Sequence, residues 1–161
     1  MHAWIVYLHV LGAFIFVSAH GASMVTAFRL RSQTDQARIA ELLELSGLSI
    51  GLMYVGLLLL LGGGVVAGFT GGHWGRAWIW VSLGLLVVVI VVMFAVATPF
   101  YGRMRAAAGL PRYAEQAQKY KPPAEPSQLA ELRTSPRPFI LAAVGAIGLA
   151  VILWLMLFKP F

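Results

Sequence analysis

Four apolar runs, each long enough to cross a bilayer, leave this chain few folds to choose from. They cover about residues 3–29, 45–69, 78–100 and 138–158. A helix rises about 1.5 Å per residue, so roughly 20 apolar residues cross a hydrocarbon core about 30 Å thick. In hydrocarbon, backbone N–H and C=O groups must be bonded within the protein, which makes continuous apolar runs of this length helices. The expected fold is an all-α integral membrane protein, a four-transmembrane-helix bundle forming a single domain over residues 1–161. Charged residues make up only 11% of the chain, against about 25% in soluble domains. There is too little polar surface here for a water-soluble domain.

The first run lacks a preceding basic residue and exceeds the usual 7–15-residue core of a signal peptide, so it is expected to stay as an uncleaved helix. Basic residues then set the orientation. Arg29, Arg31, Arg38, Arg103, Arg105, Arg112, Lys119, Lys121, Arg133 and Arg137 lie in the links at 30–45 and 101–137, while only Arg76 and Lys159 lie on the other side. The positive-inside tendency places the ten in the cytoplasm and both termini outside, an N-out/C-out, multi-pass protein of a bacterial cytoplasmic membrane. The net charge of +6 is thereby explained without nucleic acid. Trp74, Trp78, Trp80 and the Phe100-Tyr101 pair mark span boundaries, as amphipathic rings do at headgroup depth, and Pro99 and Pro138 fall at span ends.

In the first link, Ile39, Leu42 and Leu43 alternate with Arg38, Glu41 and Glu44, the pattern of an amphipathic helix that lies on the membrane or extends the second span. The second link reads as a helix-like piece around Tyr113–Lys119. An extended connector follows, carrying Pro122, Pro123, Pro126, Pro136 and Pro138.

Chemistry has few residues to use. No charged side chain falls inside a span, whereas ion and proton paths usually keep one at depth. The chain has no cysteine, which removes thiolate metal sites and iron–sulfur clusters. The ionisable groups left at depth are His9 and His20. Eleven residues apart, they lie roughly 20° from each other around a helix and about 16 Å apart along it, so one iron cannot take both from a straight helix. By depth, His73 would pair with His9, with Arg76 near the propionates of a heme, and Met53 or Met93 would pair with His20. His/His and His/Met ligation are both used by cytochromes. The same histidines also suit plain interhelical hydrogen bonds, worth about 1–2 kcal/mol, and His2 and His73 suit solvated ends. Met53, Met93 and Met156 suit packing.

Gly47–Gly51 and Gly64–Gly68 have the small-xxx-small spacing that lets helices approach closely. Gly62, Gly63 and Gly64 loosen the second helix for a kink or a close cofactor contact, and Gly145 and Gly148 suit tight packing.

The segment from Trp4 through His9 to Ala13, followed by a small-residue helix with a basic end, resembles the opening of small bacterial membrane proteins related to the copper-resistance D domain. It is also similar, more distantly, to HemJ-type heme-binding membrane proteins. The resemblance implies heme bound by a first-span histidine, here His9.

Three functions of different classes follow. The first is a b-type heme protein for electron transfer, or a heme-bearing subunit of a membrane redox complex, with heme b on His9 and His20 and no independent enzymatic activity. The second is a non-catalytic subunit of a larger respiratory or photosynthetic membrane complex, with other membrane subunits or further copies of itself as partners within the lipid bilayer. The third is an enzyme or metal transporter like the relatives just named, although copper transport usually needs more soft donors at depth.

Overall fold

The computed structural model describes residues 1–112 and 124–161. They form α1 (His2–Ser32), α2 (Gln36–Thr70), α3 (Ala77–Ala107), α4 (Pro126–Thr134) and α5 (Arg137–Phe158), with no strand among the described residues. The helix expected around Tyr113–Lys119 lies outside the described residues. Four helices, α1, α2, α3 and α5, are long and apolar enough to cross a membrane. Large apolar side chains such as Leu48, Leu58, Phe94 and Ile147 point outward along them. Water would penalise such a surface and lipid does not.

The helices pair as two antiparallel hairpins, α1 with α2 and α3 with α5. The first is closed by glycines. A Cβ on Gly56 would stand 2.6 Å from the Phe16 backbone nitrogen, one on Gly63 would stand 2.8 Å from that of His9, and one on Gly12 would collide with Leu59 and Leu60. Along α1 this seam runs through His9, Phe16 and Ser23, whose hydroxyl lies 3.3 Å from that of Ser46 on α2. That is a seven-residue repeat, the spacing of helices that wrap around each other. The close approach therefore does not follow the four-residue Gly47–Gly51 spacing, since Gly51 faces open space. Gly64 and Gly68 meet the side chains of His9 and Trp74 rather than a helix backbone. Gly62 also has nothing near it. A Gly62→Ala substitution is expected to raise detergent-state thermal stability modestly, by about 0.5–1 kcal/mol, because a helical glycine loses more backbone entropy than alanine. A fall in the unfolding temperature would show that the position needs glycine.

In α5, Gly148 receives Val89 of α3 and Gly145 receives the His20 ring of α1. Both are packing positions, as expected from the sequence.

The arginine-rich end is a small helical cap. At about 1.5 Å per residue the 35 residues of α2 run to roughly 52 Å, well beyond a bilayer core. Asp35 starts this helix by accepting a hydrogen bond from the Ala37 backbone N–H at 2.9 Å. The amphipathic link thus extends the second span, with Ile39 and Leu43 fully buried one turn apart. They pack with Leu30, Phe100, Met104, Ala107, Ala108 and Leu129. Helix α3 continues through Pro99 to Ala107. Pro99 ends the apolar run without ending the helix, since burial of Phe100, Met104 and Ala107 offsets the missing backbone bond.

One expectation needs correction: part of the extended connector is helical. Pro126 opens α4 at its first turn, where the missing N–H removes no helical bond. Leu129 is then buried in the cap with Leu132 packed beside it. The Glu125 N–H, bonded to the Ala107 carbonyl at 2.9 Å, ties the segment to α3.

Candidate histidine cavity

His9 lies in a notch of α2. Its Nδ1 is 2.7 Å from the Leu60 carbonyl oxygen, so Nδ1 carries the proton and donates. Gly63 and Gly64 make the notch: a Cβ on Gly64 would sit 2.9 Å from the same Nδ1. Of the glycine run expected to allow a kink or a close cofactor contact, Gly63 and Gly64 admit a histidine ring and Gly62 meets nothing. Fixing Nδ1–H on a carbonyl leaves Nε2 with the lone pair, an arrangement common among ligating histidines.

His20 meets a different neighbour. By ideal helical geometry it lies near the face of His9. The α1–α2 seam repeats every seven residues, however, and an ideal helix drifts about 20° per heptad against that repeat. Eleven residues on, His20 has rotated to the flank of the seam, where it faces α5. Its ring lies parallel to Phe16, with centroids 6.5 Å apart and an interplanar angle of 5°, and it fits against Gly145. Its Nε2 is buried and has no hydrogen-bond partner. Such an atom forfeits roughly 1–3 kcal/mol of hydration and asks for an explanation.

Beside His20, between the two hairpins, is a cavity of about 220 Å³. Its wall is almost wholly apolar and draws on α1, α2, α3 and α5. Met53 and Met93 line it together with His20, as do Tyr54 and Tyr101. The depth matching of His20 with Met53 and Met93 is therefore reproduced in one cavity. The two tyrosines had no mark in the sequence beyond an aromatic residue near the basic half of a span.

His9 is not brought together with His73 and Arg76. His9 stands level with Gly63 and Gly64, whereas α2 runs on to Thr70, roughly 9 Å further along the axis, before the turn that carries His73. There His73 faces the Trp78 ring at 5.9 Å, and the Arg76 N–H bonds to the His73 carbonyl at 2.9 Å. His2 is bonded to Thr70 Oγ1 at 2.7 Å. Among the described residues, no group of three or more His, Asp or Glu side chains is gathered as a metal site.

Sequence reasoning missed Arg105, the largest fully buried side chain. Its Nη2 pairs with Glu44 at 2.7 Å, its Nε donates to the Pro111 carbonyl at 2.8 Å, and Nη1 reaches the Leu43 carbonyl at 3.5 Å. The available signal was its position among Phe100, Met104 and Ala107 on the buried face of α3.

These features define a small multi-pass membrane protein, all helical, with a histidine facing an apolar cavity between two hairpins. The chain belongs to the family described as predicted integral membrane protein DUF2269, whose profile matches residues 3–160. No curated protein and no solved structure gives a significant match.

Proposed function

We propose that this chain is a small b-type heme protein of a bacterial cytoplasmic membrane, an electron carrier or the heme-bearing subunit of a membrane redox complex. The observation that carries the reading is the buried, unpartnered Nε2 of His20 beside a cavity that Met53 and Met93 also line. Nε2 abuts Gly145, so the ring would have to turn from α5 into the cavity to serve as an axial donor, with methionine sulfur a familiar second one. His9 is the second candidate ligand, since its bonded Nδ1 leaves Nε2 open.

Heme would supply one-electron redox chemistry, and the residues around it would set its potential through ligand identity and burial. The apolar wall from Leu57, Leu86 and Ile90 would exclude water. At about 220 Å³ the cavity is smaller than the roughly 300–1,000 Å³ of small-ligand sites. Binding a macrocycle therefore requires the hairpins to part. Within the spans they pack on each other far less than each does internally, so they could part there while the cap still holds them.

The test is a dithionite-reduced minus oxidised spectrum of the purified protein, with a pyridine hemochrome assay. A b-type spectrum lost in His20→Ala supports the reading and names the ligand; loss in His9→Ala alone moves the site to His9. A protein that stays colourless after heme supplementation overturns it and favours a structural subunit.

The orientation is part of the proposal. Because the chain has no cysteine, single Ser32→Cys and Gly75→Cys variants can be labelled cleanly with an impermeant maleimide. In intact spheroplasts Gly75→Cys is expected to react and Ser32→Cys to be protected. The reverse pattern would invert the topology.

A further inference from the structure

Two arginines lie where α1 ends and α4 turns into α5, and no carboxylate among the described residues pairs with them. Arg31 donates from Nη1 to the Ser135 carbonyl, and Arg133 donates from Nη2 to the Arg31 carbonyl at 3.4 Å. Arg133 Nε is buried within the protein and unpartnered, so an incoming anion would meet its Nη groups. The ion pairs among the described residues, Arg38–Asp35 and Arg105–Glu44, lie elsewhere. Arg31 and Arg133 thus place two positive charges at one corner, with backbone oxygens and the Phe139 ring as partners but no carboxylate of the described residues. A guanidinium presents five donors in a fixed fork suited to phosphate, and most of that capacity is unused here.

The depth of the pair indicates which anion fits. The Arg31 guanidinium lies 4.7 Å over the Phe139 ring, and Phe139 packs on Phe28 with centroids 5.1 Å apart. Both rings sit at the ends of apolar runs, where hydrocarbon gives way to headgroups. Outward from them come the two arginines, and inward from them comes lipid-facing apolar surface. A ligand with a phosphate above and acyl chains below matches that order of chemistry.

We propose that Arg31 and Arg133 form a binding site for the phosphate of an anionic phospholipid, seated at the α1/α4–α5 corner. Basic residues next to a membrane each strengthen attraction to anionic lipid severalfold, and basic pockets between helices hold such headgroups. The lipid would bridge α1 of the first hairpin to the α4–α5 junction of the second, at the arginine-rich capped end. This site is separate from the histidine cavity and does not depend on heme.

The experiment is native mass spectrometry of the full chain released from mixed phosphatidylglycerol and phosphatidylcholine micelles. The wild type is expected to retain phosphatidylglycerol over phosphatidylcholine by roughly tenfold. Arg31→Gln/Arg133→Gln should abolish that preference, whereas Arg38→Gln/Arg103→Gln, with the same net charge, should keep it. Millimolar inorganic phosphate should leave the lipid in place, and displacement by it would mark a free-anion site instead. Equal retention of the two lipids, or equal loss in both double variants, overturns the proposal. A second readout needs no variant: phosphatidylglycerol should raise the unfolding temperature of the wild type above that in phosphatidylcholine. No difference would also overturn it.

Discussion

Arg105→Ala is expected to lower stability by about 3 kcal/mol, from the void left by a large buried side chain and the hydrogen bonds it takes with it. The side chain is 1% exposed, so its loss leaves a void and strands the Pro111 carbonyl that it bonds. Glu44 regains water easily because its side chain is 56% exposed. Glu44→Gln should therefore be milder, roughly 1–2 kcal/mol, with the guanidinium still holding its carbonyls. The check is thermal or denaturant unfolding in detergent. Arg105→Met, which refills part of the volume without the charge, should fall between the two. If Arg105→Ala unfolds like the wild type, the buried network does not hold the cap together.

The second large effect belongs to the helix seam. Gly56→Leu is expected to destabilise the protein by about 3 kcal/mol, at the upper end of overpacking costs. Even the first added atom would stand 2.6 Å from the Phe16 nitrogen. That obstacle is backbone, which has no rotamer through which to yield. The α1–α2 hairpin would have to open, pulling His9 off the Leu60 carbonyl that it reaches at 2.7 Å. Gly51→Leu, on the same helix but facing open space, should stay close to wild type in the same unfolding assay. Equal effects at the two positions would mean that the seam is not where α1 and α2 touch.

Both effects concern features the sequence concealed. The four spans were legible because length and hydropathy act locally. Residues 36–44 were legible because Ile39 and Leu43 repeat at helical spacing. Depth counting also placed His20, Met53 and Met93 at one level, and one cavity holds all three. The seam was not legible: a chain with 17 glycines offers many small-residue spacings, and only the partner helix selects Gly12, Gly56 and Gly63. His9 and His20 separated because the sequence gives an ideal helical period while the packed hairpin follows a seven-residue one. Helix α4 was hidden because proline breaks a helix interior and begins a helix equally well. Arg105 was hidden because a basic residue just past a span reads as an orientation signal, whereas its partners arrive from elsewhere in the chain.

The two-hairpin arrangement also bears on how the protein is made. Each close helix pairing joins neighbouring spans, so both sides of the α1–α2 seam are present once Thr70 has left the ribosome and entered the bilayer. It can finish its glycine seam while the second hairpin is still being synthesised. Folding built from such local pairings is fast. The slow step in biogenesis is then the late arrival of α4 and α5, which completes the cap and joins the two halves.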